Sequence, residues 1–339
     1  MRKRGIESYN MNIELLKKIC SIKGASSEEN EIAGFILSEI EAHIDEHSID
    51  PLGNLIARKK GGGRKMMLAG HMDQIGMMVT HIDKNGFIYF TNIGGLNPTT
   101  IHSCRVIFSN GATGIVNCER LEGASKIVLE KMYIDIGAIT KKEAEERIKI
   151  GDICVFYNEP VVDNYKIMTP YLDDRLGCFV MIEALKRLKK PAFDLYFVFT
   201  VQEEVGLRGA KTSVYTVDPD YGVSFDVTVS ADTPKCRKLP QKLGGGACIK
   251  IKDASILCHP RIIKHMEKCA KEAGIDYQFE ILETGGTDSG AMHVHKGGVP
   301  SGVISIPTRY IHSMNEMARL SDIQSCIDLA VKVIETEIE

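Results

Sequence analysis

Residues 194–226 read DLYFVFTVQEEVGLRGAKTSVYTVDPDYGVSFD, and this stretch decides the fold class. Its first apolar run, Leu195–Val201, predicts a buried strand, and Tyr221–Phe225 predicts a second one. Between the two runs, a helix is predicted near Gly209–Val217. Because strands that alternate with helices are typical of α/β folds, the chain is expected to contain an α/β domain.

The same alternation extends on both sides of this stretch. Near the N-terminus, Gly24 is predicted to cap the end of one helix and Ser27 the start of the next. Apolar spacing predicts three further strands and three helices. The helices are Asn12–Lys23, Ser27–Ile44 and Asp174–Lys189, and the strands are Asn54–Lys59, Lys65–Ala69 and Gly302–Ile306.

Between about residues 80 and 160 the pattern changes to short β-type runs separated by Gly, Asn and Asp. Regular short strands of this kind predict a small barrel or sandwich. Because α/β patterns flank it, this part is expected to be an insertion: a β-rich domain at 76–164 within an α/β domain at 1–75 and 165–339. The predicted β-type runs are Phe87–Phe90, Arg105–Phe108, Gly114–Asn117, Lys131–Ile136 and Ile153–Tyr157.

The composition is that of an ordinary globular protein. The 339 residues are 44% hydrophobic and 26% charged, with a formal net charge of −3. Interspersed charges give no reason to expect nucleic acid or an anionic membrane as partner. The chain has no apolar run near the ~20 residues that span a bilayer and no pattern of a signal peptide. A cytoplasmic location is therefore expected, with the ten cysteines reduced.

Histidines and carboxylates lie at or just beyond predicted strands. His71 and Asp73 follow one strand, Glu203 and Glu204 another, and ligands bind beyond the carboxyl ends of strands in α/β sheets. Two carboxylates there are costly to bury unless a positive charge holds them. Two of these features also have a plain structural interpretation: His71 and Asp73 as a solvated loop, and Asp173 with Asp174 as a helix cap. The remaining members of this set are Asp173, Asp174, Asp226 and His312.

Taken together, these residues form a more specific pattern than any one of them. Mixed imidazole and carboxylate ligands suit Zn²⁺, Co²⁺ or Mn²⁺. A carboxylate shared by two such ions makes a two-metal hydrolytic site. A competing motif, His43-Ile44-Asp45-Glu46-His47, matches a zinc-protease pattern. It falls at the end of a predicted amphipathic helix and is interpreted as a chance match.

The chain resembles the M42 metallo-aminopeptidases, which are related to the tetrahedral (TET) aminopeptidases. The resemblance covers nearly the whole chain and preserves the order and spacing of the motifs. It implies a central mixed sheet flanked by helices, of the zinc-peptidase type, with a small inserted β-barrel. The motifs are AGHMDQIGMMV (69–79), IGGLNP (93–98), YIDIGA (133–138), IGD (150–152), YLDDRLGC (171–178), VQEEVGLRGA (201–210), SFDVT (224–228), GGTDSGA (285–291) and PTRYIHS (307–313).

The resemblance also implies a role for each site residue. Asp173 would bridge two divalent metal ions, with a cis peptide bond to Asp174. Glu203 would be the general base, and Asp73 would orient a ligand histidine. The remaining ligands would be Glu204 and His312 for one metal and His71 and Asp226 for the other.

Substrate and assembly follow from the resemblance in part. It implies cleavage of N-terminal residues from short peptides and a homo-oligomer, from a dimer to a dodecamer assembled through the inserted domain. Gly286, Thr287 and Asp288 either line the substrate pocket or form an ordinary turn. Arg309 is either a specificity group or an oligomer contact. Rival interpretations are a deacylase or carboxypeptidase of the same architecture, a glycosidase, or a metal-buffering protein without enzyme activity.

Overall fold

The computed structural model describes residues 9–120 and 127–339. Within these ranges the helices are α1 Ile13–Ser21, α2 Asn30–Ile40, α3 Pro98–Ile101, α4 Lys141–Glu145, α5 Leu172–Arg187, α6 Arg208–Val217, α7 Pro260–Ala273, α8 Asp288–Met292 and α9 Leu320–Glu335. The strands are β1 Glu46–Ile49, β2 Leu55–Lys59, β3 Lys65–His71, β4 Gly76–Ile82, β5 Ile88–Ile93, β6 Arg105–Phe108, β7 Thr113–Cys118, β8 Met132–Asp135, β9 Ile153–Phe156, β10 Val161–Val162, β11 Lys166–Thr169, β12 Asp194–Thr200, β13 Tyr221–Val229, β14 Ala247–Lys252, β15 Tyr277–Ile281, β16 Ser301–Arg309 and β17 Glu316–Arg319.

Eleven strands form one mixed sheet. Its main order is β1-β2-β12-β3-β13-β16-β17-β11-β10, and β14 pairs with both β15 and β16. The four central strands β12, β3, β13 and β16 are mutually parallel, and antiparallel strands lie on both sides of them. The carboxyl ends of the central strands therefore meet at one edge, where side chains from distant parts of the chain come together.

The register of these strands leaves a gap at that edge. β12 and β3 stay paired up to Thr200 and His71. Pairing between β3 and β13 ends earlier, at Ala69 and Ser224. Beyond that point the two strands no longer hydrogen-bond to each other, so side chains such as Asp226 can face the space between them.

Helices cover both faces of the sheet, and this explains why its central strands β3, β12, β13 and β16 are buried and largely apolar. The larger core lies on the face covered by α1, α2, α5, α7 and α9. It includes Phe225 of β13 and Ile304 of β16. On the opposite face, α6 and α8 pack over a smaller cluster that includes Met67, Val198 and Met292. Among the described helices, none is both long and apolar enough to cross a bilayer.

The inserted β-rich part is a closed antiparallel barrel. Its strands run in the order β4-β5-β8-β7-β6-β9 around the barrel. Its interior is a separate apolar core that includes Val106, Phe108 and Ile134. The chain leaves the large sheet after β3 and returns to it through β10 and β11. The predicted fold class, a mixed α/β sheet with an inserted barrel, is confirmed; the boundaries near residues 76 and 165 stay a prediction.

Several predicted details were wrong. The first helix ends with Ile22 at its C-cap instead of Gly24. Ser27 does not cap α2; it has a positive φ of 83°, and Glu29 occupies the N-cap position. Because α2 ends at Ile40, the His43–His47 motif is not helical and spans the end of a 3₁₀ turn and the exposed strand β1.

Candidate metal centre

His71, the last residue of β3, faces the gap at the sheet edge. Its Nδ1 lies 3.1 Å from the backbone carbonyl oxygen of Asp73 and 3.5 Å from the Asp73 carboxylate. A proton on Nδ1 is therefore satisfied by Asp73, which leaves Nε2 free to bind on the other side of the ring. That Nε2 lies 3.0 Å from Oδ1 of Asp173.

Asp173 lies between the two histidines. Its Oδ1 faces His71, and its Oδ2 lies 3.3 Å from Nε2 of His312. Asp173 and Asp174 have non-helical backbone angles at the start of α5, and the peptide bond between them is cis, as the resemblance implies. The two oxygens of one carboxylate thus face two imidazoles from opposite sides.

The two adjacent glutamates after β12 point to different members of the cluster. Oε1 of Glu204 lies 3.1 Å from Nε2 of His312, whereas Oε2 of Glu203 lies 3.9 Å from Nε2 of His71. The carboxylate of Asp73 accepts hydrogen bonds from the backbone amides of Glu203 at 2.9 Å and Glu204 at 3.2 Å. Ser26 donates to the same carboxylate at 2.6 Å. Asp73 therefore fixes the backbone of both glutamates in addition to contacting His71.

Asp226 extends the cluster into the gap between β3 and β13. The sequence suggested that it ends a strand, but β13 continues to Val229, so Asp226 is a buried residue inside it. Ligand atoms of His71, Asp174 and Asp226 lie within 4.8 Å of one another, as do those of His71, Asp173 and Glu204. These two groups overlap at His71.

The charge of the cluster supports a bound cation. Burial raises the pKa of Asp174, Glu203 and Asp226, and nearby carboxylates raise the pKa of each further. Burial opposes protonation of His312, yet Asp173 and Glu204 outweigh it and raise its pKa to about 12. Because negative charge exceeds what two imidazoles can balance, the donor set fits divalent metal ions with nitrogen and oxygen ligands.

Glu316, at the start of β17, is a member of the site that the sequence analysis did not find. Its Oε2 accepts from the amide of Asp173 at 3.0 Å and its Oε1 accepts from the amide of His312 at 2.8 Å. Its side chain is buried. Glu316 thus fixes the backbone of the residue that carries the shared carboxylate and of one of the two histidines that face it. A spacing of four residues from His312 was the only trace of it in the sequence.

A cavity of about 430 Å³ opens onto the cluster. Of the predicted substrate residues, Gly286 lines it. Thr287 and Asp288 are buried behind the wall, where Oδ2 of Asp288 accepts from the Thr200 hydroxyl at 2.6 Å. Arg309 does not line the cavity, and its guanidinium donates two hydrogen bonds to Asp232, at 2.9 and 2.6 Å.

Imidazoles and carboxylates that converge on a cavity at the carboxyl edge of an α/β sheet define a metallohydrolase type of site. The family model described as M42 glutamyl aminopeptidase matches residues 53–329, and the chain belongs to that family. The lysyl aminopeptidase of Pyrococcus furiosus is 36% identical over 95% of this chain and 96% of its own length.

Solved structures give the same assignment. Aminopeptidase APDkam598 of Desulfurococcus kamchatkensis superimposes with a TM-score of 0.93 at 37% identity, covering 96% of this chain and 95% of that one. The TET1 peptidase of Pyrococcus horikoshii, described as assembling into a tetrahedron or a large octahedral shell, superimposes with a TM-score of 0.85 at 30% identity, covering 95% of this chain and 98% of that one.

Proposed function

We propose that this chain is a two-metal aminopeptidase that removes N-terminal residues from short peptides, with Glu203 as the general base. The observation that carries the proposal is the position of Asp173, whose two carboxylate oxygens face His71 and His312 separately. A shared carboxylate between two sets of donors is the arrangement that a pair of ions requires.

Each ion would take ligands from one side of Asp173. His71 and Asp226 would hold one ion, and Glu204 and His312 the other. Nitrogen and oxygen donors of this kind suit Zn²⁺, Co²⁺ or Mn²⁺. When bound, the two ions supply Lewis acidity, which polarises the scissile carbonyl group and makes water acidic enough to ionise near neutral pH.

Glu203 is suited to proton transfer because it is held at the cluster without an imidazole in hydrogen-bonding contact. Its carboxylate takes a proton from the attacking water as the new C–O bond forms. It then gives that proton to the amide nitrogen as the C–N bond breaks, releasing an amine. The hydrogen bond from its amide to Asp73 keeps the side chain beside the cavity.

A cavity at the edge of a sheet favours a flexible chain end over a loop of a folded protein. Membership of an aminopeptidase family supports the N-terminus as the end that is bound. The shell formed by the Pyrococcus horikoshii peptidase supports a homo-oligomer for this chain too. Enclosure of the site in such an assembly would exclude folded proteins further.

Two related activities, those of a deacylase and a carboxypeptidase, would use the same metal chemistry and differ in the end of the substrate that is recognised. Mass spectrometry on one peptide with a free and an acetylated N-terminus separates them. We expect stepwise loss of residues from the free N-terminus and no cleavage of the acetylated peptide. Equal rates on both forms, release of the acetyl group, or loss of C-terminal residues would contradict the aminopeptidase proposal.

The Glu203→Gln variant tests the mechanism with the same peptides. We expect kcat to fall by ~10² to 10⁴, the usual range for a general base. Elemental analysis should show the metal content of the wild type, because Glu203 is not among the proposed ligands. Turnover close to that of the wild type would remove Glu203 from the mechanism.

A further inference from the structure

The metal cluster consists of His71, Asp173, Asp174, Glu203, Glu204, Asp226 and His312. Outside this cluster, most of the side chains that line the cavity are aliphatic. Ile311, which precedes the proposed ligand His312, lines the cavity, and so does Val227, which also packs into the larger core. Leu207, Val229 and Leu282 also line the cavity. A side chain of the substrate that lies beside the metal ligands therefore meets hydrocarbon surface.

Lys250 is the one lysine or arginine among the described residues that line this cavity. Its ammonium group lies 2.9 Å from Oδ2 of Asp253 and 2.7 Å from Oε1 of Glu280. Strand register places Lys250 directly opposite Glu280 on the neighbouring strand β15, so the pair is built into the sheet. All three side chains are buried, and both carboxylates lie outside the cavity wall.

The charge on Lys250 is thus already balanced. Burial opposes this charge, but the carboxylates of Glu280 and Asp253 outweigh it and keep the pKa of Lys250 above its ordinary value. A carboxylate of a substrate would have to displace one of these buried partners, and leaving a buried charge unpaired is strongly unfavourable. Lys250 therefore forms part of the cavity wall, but its ammonium group is not free to pair with a charged group of the substrate.

Two arginines near the cavity, one at the end of β16 and one in the segment before β14, also form ion pairs. Arg309 is paired with Asp232, and Arg237 is paired with Glu283 through both ends of its guanidinium. Neither arginine lines the cavity. Apart from the metal-cluster residues and Lys250, the residues of the wall are uncharged, so a lysine side chain of a substrate finds no free carboxylate there either.

We infer that the cavity selects peptides whose N-terminal residue has an uncharged aliphatic side chain, and discriminates against N-terminal Lys and Glu. This inference rests on the proposed aminopeptidase function. Transfer of an aliphatic side chain from water to an apolar wall is favourable. Burial of a charged side chain against the same wall without a partner is costly. The selectivity thus differs from that named for the family, glutamyl, and for the lysyl relative.

Aminoacyl amides of a fluorogenic amine, with Leu, Lys or Glu as the acyl residue, test the inference on the metal-loaded full chain. We expect kcat/KM for Leu to exceed that for Lys and for Glu by about tenfold or more, the discrimination that one buried aliphatic side chain provides. A kcat/KM for Lys or Glu equal to or above that for Leu overturns the inference.

A matched pair of variants places the selectivity in the cavity wall. Leu282→Glu adds a carboxylate to the wall, whereas Ile281→Glu adds the same charge one residue earlier, at a side chain that is 42% exposed and outside the wall. We expect Leu282→Glu to raise the Lys-to-Leu ratio of kcat/KM by about tenfold or more, since an opposite charge then faces the ammonium group. Ile281→Glu should keep the wild-type ratio, and equal shifts in both variants overturn the assignment of the wall.

The outcomes separate this inference from the function on which it rests. If the metal-loaded wild type cleaves none of the three amides, nor the free peptide, the aminopeptidase function itself is wrong. If it cleaves them with Lys or Glu preferred, the function stands and the selectivity inference alone fails.

Discussion

Two buried charged clusters lie side by side on the same sheet, and they differ in how their charges are balanced. In the Lys250 cluster, which consists of Lys250, Asp253 and Glu280, one ammonium contacts two carboxylates within 3 Å. In the metal cluster, two imidazoles face a larger set of carboxyl groups, and ligand atoms of separate residues converge within 4.8 Å of one another. The first cluster carries its own cation, whereas the second gathers donors around a position that a cation from outside would fill.

This difference teaches how to recognise a binding site among buried charges. Burial alone does not mark function, since the Lys250 cluster is buried and so are His71, Asp173 and Asp226 of the metal cluster. What distinguishes the metal cluster is a convergence of donors whose ion pairs, among the described residues, involve the imidazoles of His71 and His312 and no lysine or arginine. Substitutions in the metal cluster should therefore affect metal content and activity, whereas substitutions in the Lys250 cluster should affect the free energy of unfolding.

The largest effect is expected from Asp173→Asn. The variant loses the shared negative charge, and because metal ions supply several kcal/mol of transition-state stabilisation, kcat/KM should fall by ~10³ or more. Elemental analysis should show fewer than two ions per chain. Asp253→Asn is the matched control in the other cluster, and it should retain the wild-type metal content. Full metal content and activity in Asp173→Asn would contradict its position between two ions.

Lys250→Met should destabilise the fold. Removing the ammonium leaves two buried carboxylates without their counter-ion, and the loss of one partner from a buried ion pair costs about 3–5 kcal/mol. Urea denaturation measures the change. Lys268→Met removes an ammonium from a solvent-exposed pair with Glu339 and should leave the free energy of unfolding nearly unchanged. Similar losses in both variants would show that the Lys250 cluster is not balanced as described.

Glu316→Gln should have a smaller effect on activity. The side chain touches backbone amides of Asp173 and His312, so Glu316 acts as a positioning residue. Glutamine keeps one acceptor oxygen but loses the other. We therefore expect metal affinity or activity to fall by about 10–100-fold, the usual effect of losing a partner that orients a metal ligand. Metal titration measures the loss of metal affinity, and kinetics at saturating metal then measure the loss of activity separately. Wild-type metal affinity together with wild-type kcat would show that Glu316 has no positioning role.

The smallest effect concerns Glu29, a buried carboxyl group outside both clusters. Burial raises its pKa to about 7, the charge of Asp73 adds to this, and the amides of Ser27 and Gln202 oppose it. Between its ordinary pKa of about 4.3 and this value the native state binds more protons than the unfolded state, so stability should fall as pH rises through this window. Asp288 and Asp322, whose pKa burial raises to about 6, contribute to the same fall. Glu29→Gln cannot ionise at this position and should lose the part of the fall that Glu29 contributes.

Unfolding by urea at several pH values between 5 and 7.5 measures this dependence. Glu14→Gln, at an exposed position on α1, is the control and should keep the wild-type dependence on pH. An unchanged dependence in Glu29→Gln would mean that another group causes it.

Sequence alone predicted the parts of the site that follow parallel strands. His71, Glu203 and His312 each lie at or just beyond such a strand, and apolar runs mark these strands clearly. Asp226 was found too, although β13 continues past it. The cis bond at Asp173 came from the family resemblance and not from the residues themselves.

Other parts could not be predicted because they depend on tertiary contacts. Glu316 lies on an antiparallel strand whose place beside β16 is set by sheet assembly. Ser26 precedes α2 and reaches Asp73 only because α1 and α2 pack against the sheet side that carries α5. The pairing of Arg309 with Asp232 joins residues that are 77 positions apart, which no local pattern indicates.

The position of the barrel between β3 and α5 also sets the order in which the site can form during synthesis. The contact between His71 and Asp173 spans 102 residues, and that between Asp173 and Glu316 spans a further 143. Contacts between residues so far apart form late, because the entropy of closing long loops must be overcome first. An emerging chain therefore presents His71 and the barrel long before His312 and Glu316 leave the ribosome. The donors of the metal cluster are therefore complete only in the finished chain, and a truncated product would lack the second half of the site.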